Sequence, residues 1–244
     1  MLETLFYSLI SVLFVSLISL VGILFLAIKA EKLKTILIYL VSFSAGALFG
    51  DAFIHLLPEV AETGVTLTVS FSILGGILLF FILEKIIHWQ HCHLPITAHH
   101  VHPFAYMNLV GDSLHNFIDG VIIAASYMLS IPAGIATTLA VLFHEIPQEA
   151  GDFGVLLHGG FSKTKALFMN FLTALTAFLG VIFAFLLGID NSILISVAIG
   201  GFLYIAGSDL IPELHKETRL SKSLVQLLFF VIGIAIMLAL LLFE

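Results

Sequence analysis

Along the chain, apolar residues come in long unbroken runs and polar residues are confined to brief links between them. A helix needs about 20 apolar residues to cross a bilayer, and eight runs meet that length: roughly 4–28, 36–57, 66–87, 104–127, 132–158, 164–187, 191–212 and 222–243. Hydrocarbon offers backbone amides no outside partner, so runs this long and continuous are predicted to be helices rather than strands of a barrel. The expected fold is an all-α integral membrane protein, one domain over residues 1–244 with eight transmembrane helices.

Two neighbouring runs break the pattern. Run four contains His115-Asn116-Phe117-Ile118-Asp119-Gly120, and run five contains His144-Glu145-Ile146-Pro147-Gln148-Glu149-Ala150-Gly151-Asp152. Ionisable groups at membrane depth are costly, and they mark substrate paths, ion sites or proton relays.

Composition agrees with the runs. Hydrophobic residues make up 60% of the chain, charged residues only 10%, and mean hydropathy is +1.18, which leaves too little polar surface to coat a soluble globule. The single cysteine, Cys92, excludes an intramolecular disulfide and a cysteine-rich metal knot. The first run begins Met1-Leu2-Glu3 with no early Lys or Arg and is too long for a secretory signal core, so it is expected to stay as a span.

Charge sorting sets the expected orientation. Threading eight spans puts the links near 29–35, 86–103, 159–165 and 213–222 on one side, together with Lys29, Lys32, Lys34, Lys85, Lys163, Lys165, Lys216, Arg219 and Lys222. The other side holds both termini, Glu59, Glu62 and Asp190. Short basic links stay cytoplasmic, so both termini are expected outside, extracellular or periplasmic, and the protein is expected to be multi-pass in a plasma membrane. The largest link, about 88–103, is cytoplasmic in this threading and carries His88, His91, His93, His99, His100 and His102, a composition that suits weak metal binding.

Helical geometry limits which polar side chains in the two strings meet. His115 and Asp119 stand four apart, as do His144 and Gln148, so each pair shares a face of its helix. With those faces opposed, the two helices enclose a polar cage. Its imidazole nitrogens and carboxylate oxygens suit zinc, ferrous iron, manganese or cadmium better than calcium or magnesium. Asn116 and Glu145 follow the two histidines, rotated about 100° around each helix, where an adjoining second site is expected. Pro147 lies mid-span and leaves the carbonyl of Phe143 without its usual helical partner; broken helices at the midplane are one way transporters aim backbone dipoles at an ion.

The chain also resembles itself. A shift of 154 residues aligns residues 44–59 with 198–213, bringing Gly46 onto Gly200, His55 onto Asp209, and Leu57-Pro58-Glu59 onto Ile211-Pro212-Glu213. In the threading the two members run in opposite directions, which predicts an inverted repeat of helices 1–3 and 6–8 around a central pair 4–5.

These residues resemble the ZIP (Zrt- and Irt-like protein) metal transporters over essentially the whole chain. The resemblance is carried by Gly50-Asp51-Ala52 with His55-Leu56-Leu57-Pro58-Glu59, the His-rich link, Gly111-Asp112 with His115-Asn116 and Asp119-Gly120, His144-Glu145-Ile146-Pro147, and Tyr204-Ile205-Ala206 with Asp209 and Pro212-Glu213. It implies uptake of a divalent metal, zinc foremost, into the cytosol by an elevator that slides the central helices against a scaffold, often in a homodimer. The metal is then substrate, not cofactor. Carried over by residue, one site uses His115, Asp119, His144 and Gln148, and its neighbour uses Asn116, Glu145 and Gln148 with Asn170. Asp112 and His158 would lie toward the cytosolic exit. Gln148 departs from the pattern, because many relatives have His or Glu there; the neutral amide resembles a variant among prokaryotic members.

The electrical driving force already points inward. An inside-negative potential contributes about 2.3 kcal/mol per charge per 100 mV, and roughly twice that for a dication. No Walker-type phosphate loop is present, so ATP-driven pumping is not expected, nor is a nucleic-acid partner. The main rival is an intramembrane zinc metalloprotease, since His144-Glu145 begins like His-Glu-x-x-His, but the fourth position is Gln148. A membrane metal sensor built on the His-rich link is a third reading.

Overall fold

The computed structural model describes residues 2–22, 30–62, 64–88, 103–187 and 191–243. Those residues are helical nearly throughout, with no strand among them. In chain order the elements are α1 (Leu2–Ile18), α2 (Ala30–Gly50), α3 (Leu57–Glu62), α4 (Leu67–His88), α5 (Pro103–Leu129), α6 (Ile131–His158), α7 (Lys163–Ala174), α8 (Thr176–Leu187), α9 (Asn191–Tyr204), α10 (Ile211–Leu214) and α11 (Leu220–Leu240). The His-rich link falls at residues 89–102, outside the described residues, as do residues 23–28 of the first predicted run.

Among the described residues, six stretches are long and apolar enough to cross a membrane: Leu2–Val21, Ile36–Glu62, Leu67–Lys85, Lys163–Leu187, Asn191–Leu214 and Leu220–Leu240. The other two predicted runs are the helices α5 and α6, 27 and 28 residues long and less apolar because they carry the two polar strings. They form the middle of the bundle: α5 touches α1, α4, α6, α7, α8 and α9, while α6 touches α1, α2, α5 and α7. Ser130 starts α6 by accepting the backbone N–H of Ala133 at 3.2 Å, with Pro132 in the first turn. Gly160, at φ 95°, turns the chain from α6 into α7.

α2 and α9 each widen into a π-helical turn, at Asp51–Leu56 and Ile205–Leu210. In these turns the N–H of Leu57 bonds Ala52 O, and that of Ile211 bonds Ala206 O, five residues back rather than four. Pro58 and Pro212 follow immediately. A proline donates no N–H and crowds the carbonyl four residues back, which displaces the ladder into the wider register. The two turns stand 154 residues apart, in register with the sequence self-match.

Glycines set the closest helix pairs. Gly46 seats the carbonyl of Phe230 and Gly233 that of Phe43, joining α2 to α11; Gly200 seats Ile73 and Gly76 seats Val197, joining α9 to α4. Gly120 and Gly180 do the same for α5 and α8, against Ala177 and Phe117. A Cβ at any of these positions would collide with backbone.

Most interhelical polar contacts fall within two groups of helices, while Ser44–Phe143 O and Thr137–Asp51 join the groups. Within α2, α4, α9, α11 and their π turns, His55 Nε2 meets Met237 O at 2.8 Å and Tyr204 donates to Glu84. Within α1, α5, α6, α7 and α8, Ser11 bonds Tyr127 Oη at 2.9 Å, Ser16 donates to Ala174 O at 2.9 Å, and Thr176 donates to Ser113 O at 2.6 Å. Outward faces stay apolar and exposed, as with Phe71, Leu74 and Leu78 on α4, since lipid exerts no hydrophobic penalty there. At the link before α11, Glu217 accepts the N–H of Arg219 at 3.0 Å and pairs with Lys222 at 3.3 Å, contacts that hold its carboxyl below the usual carboxylate range.

Candidate metal centre

α5 and α6 bring four ligand-type side chains to one point. His115 and Asp119 come from α5, His144 and Glu145 from α6, and one ligand atom of each lies within 4.8 Å of all the others. His115 Nε2 is 3.2 Å from His144 Nε2, 3.4 Å from Glu145 Oε1 and 3.6 Å from Asp119 Oδ2. His144 Nε2 is 3.3 Å from Asp119 Oδ2 and 3.5 Å from Glu145 Oε1. Zinc bonds of about 2.0–2.1 Å place tetrahedral ligand atoms about 3.3–3.4 Å apart, and these five separations bracket that spacing.

The tautomer fits as well. His144 Nδ1 lies 3.2 Å from Ala140 O in the preceding turn, a contact that assigns the proton to Nδ1 and leaves the Nε2 lone pair facing the centre. Phe80 of α4 and Phe202 of α9 close the apolar wall, with ring centroids 5.7 Å from His115 and 6.4 Å from His144. Asp119, His144 and Glu145 are all but fully buried.

Beyond this centre the polar faces of α5 and α6 continue. Asn116 donates to Asp112 Oδ1 at 2.8 Å, Asn108 to Asp152 Oδ1 at 2.9 Å, and Asn170 of α7 to the Glu149 carboxylate. Acceptors outnumber donors here. Asp112 Oδ2, Asn116 Oδ1, Glu149 Oε1, Asn170 Oδ1 and both carboxylate oxygens of Asp119 and Glu145 are buried without a hydrogen-bond partner among the described residues. Buried oxygens are normally satisfied, and a cation is the species that would satisfy so many at once.

A cavity of about 600 Å³ leads from His115 and His144 to half-buried Glu213 and exposed Lys216. Asp112, Gln148 and Asp152 lie on one of its walls, and Glu84, Asp209 and Glu213 on the other. An acidic passage of this kind raises the local concentration of cations.

Most of the sequence expectations can be located. His115, Asp119 and His144 converge as their spacing requires, and half-buried Gln148 lines the cavity. Glu145 joins the first cluster, although its position around the helix suggested the neighbouring one; two methylenes let its carboxylate swing back across the 100° between successive residues. Asn116 and Asp112 are paired to each other, and Asn170 is held by Glu149. Glu149, which helical geometry aims away from the cage, is buried and engaged with α7. The signal for the missed members was present: 108, 112, 116 and 119, and 145, 149 and 152, recur at three- or four-residue steps along one stripe of each helix. The side chain of His158 lies outside those described.

Long apolar helices around a buried nitrogen and oxygen cage, itself at the head of an acidic passage, define the class as a membrane protein for handling metal ions. The family model described as ZIP Zinc transporter matches residues 2–104 and 90–241, and the chain belongs to that family. It is 31% identical over 271 residues to zinc transporter zipt-7.1 of Caenorhabditis briggsae, covering 81% of this chain and 69% of the relative. Zinc transporter ZIP13 of Mus musculus is 31% identical over 251 residues, covering 84% of this chain and 70% of its own length. A shorter match, 44% identical over 114 residues and 46% of this chain, is to zinc transporter ZIP4 of Homo sapiens, 18% of which it covers. Membership makes the protein a transporter of metal ions, its substrate, and not an enzyme.

Proposed function

We propose that the protein takes up divalent transition metal, zinc foremost, into the cytosol across a plasma membrane. The observation that carries the reading is the four-ligand shell of His115, Asp119, His144 and Glu145, whose separations suit a tetrahedral ion and whose imidazoles suit zinc. Asp112, Asn116, Gln148 and Asn170, with Glu145 shared, form an adjoining cation site on the way to the cavity. α5 and α6, at 27 and 28 residues, extend about 40 Å and also span, making eight transmembrane helices with both termini outside and the basic links in the cytosol.

The reading extends to an elevator. Supporting it is that the glycine seats, and all but two of the interhelical hydrogen bonds named above and below, stay within one of two groups, a scaffold of α2, α4, α9 and α11 and a mobile block of α1, α5, α6, α7 and α8 that holds the donors. The paired π turns and the reciprocal seats of Gly46 and Gly200 support the inverted repeat. A homodimer would bury part of the exposed apolar surface. The protease reading gains nothing from the cage, because Gln148 stands at the second histidine position.

Radiozinc uptake into proteoliposomes, with and without an inside-negative potential, tests the reading. Uptake should rise with the potential and disappear in His144→Ala. Undiminished zinc uptake by that variant overturns the site, and metal moving only outward overturns the direction.

A further inference from the structure

The carbonyl of Phe143, immediately before His144, loses its helical partner because Pro147 has no N–H. Its partner comes from the other group of helices. Ser44 of α2, fully buried, places Oγ 2.6 Å from Phe143 O. The same Oγ is 2.8 Å from Leu40 O, one turn back in its own helix. A serine hydroxyl has one proton to give, and here it has two acceptors, one that travels with α2 and one that travels with α6.

A second bond runs between the same two bodies, from Thr137 Oγ1 of α6 to Asp51 Oδ2 at 2.8 Å. Both bonds must break if α6 slides along α2. For Ser44 the break leaves no stranded donor, because the proton turns back to Leu40 O. The carbonyl of Phe143 is left bare, which favours the arrangement in which the bond is made. The position 154 residues on is Ala198, so the other half of the repeat carries no matching hydroxyl and the bias acts on one side only.

We infer that Ser44 is a positioning residue for transport: its bond to the Phe143 carbonyl holds α6, and His144 with it, in the arrangement whose cavity opens at Glu213 and Lys216, and its proton turns back to Leu40 O when the block moves. The inference rests on the carrier reading above and adds the contact that sets the balance between its two states.

The test uses the full chain with Cys92→Ser and a reporter, Ser208→Cys, on the exposed cavity wall. Alkylation by a water-soluble maleimide is timed without metal in proteoliposomes. Ser44→Ala should slow alkylation by up to about fivefold, the factor by which one lost buried hydrogen bond shifts the equilibrium, and Ser44→Thr should match the parent. In a Pro147→Ala background residue 147 regains its N–H and can serve Phe143 O, so Ser44→Ala should then change the rate less than twofold.

Equal rates for the Ala and Thr variants, or an undiminished effect beside Pro147→Ala, overturn the inference. If Ser44→Ala does not purify as a single species, Thr and Val at position 44 give the same comparison, differing only by hydroxyl for methyl. Zinc flux is recorded on the same samples. Absent flux in the parent removes the carrier reading, whereas the alkylation ratios test the Ser44 contact by themselves.

Discussion

Charge and donor type at single positions decide what the cage can hold. Asp119 has no well-formed hydrogen bond among the described residues and faces His144 at 3.3 Å, so its negative charge is available to a cation. Asp119→Asn keeps the shape and removes the charge. Zinc affinity by titration calorimetry should fall by about 100-fold while the protein stays folded, and an unchanged constant would mean that Asp119 is not a ligand. Gln148 is the position where chemistry can be added. Gln148→His offers a third imidazole at the cavity head and should tighten zinc binding by about tenfold while slowing turnover, because a site that holds its ion better releases it later. Competition uptake should also show manganese losing ground to zinc in that variant.

Backbone packing dominates at the scale of the helix. Gly46 lies against the Phe230 carbonyl, whereas Gly75, one position from the seated Gly76, has open space where a Cβ would go. Gly46→Leu should therefore lower the unfolding midpoint by about 5 °C and Gly75→Leu by less than about 1 °C, read by thermal shift in detergent. Equal losses would refute the close pairing of α2 with α11. The helices themselves were legible from run length, because a membrane core demands about 20 apolar residues and full internal hydrogen bonding. Their irregularities were less so. Pro58 and Pro212 mark both π turns, yet a proline signals only that the ladder is disturbed; whether the helix kinks, ends or widens depends on the neighbours packed around it.

For the molecule as a whole, the donors sit at the meeting of two groups of helices, with the acidic cavity running from them to one end of the bundle. If the donors and the cavity carry the transport step, the His-rich link is not needed for it. Deleting residues 90–101 should leave the maximal rate of radiozinc uptake within about twofold while altering its response to metal supply; complete loss would favour a sensor built on that link.

The order of apolar runs and the spacing of His115, Asp119, His144 and Gln148 were enough, from the chain alone, to place helices and to put each pair on one face of its own helix, since helical periodicity is a local property. Tertiary packing decided the rest. Glu145 entered the cluster of His115, Asp119 and His144, Glu149 engaged Asn170, and Ser44 took up the carbonyl that Pro147 leaves bare, each through a contact between separate helices or a side-chain swing that periodicity does not encode. One helix dictates which way a side chain sets out; only the surrounding helices, by filling space and supplying partners, dictate where it comes to rest.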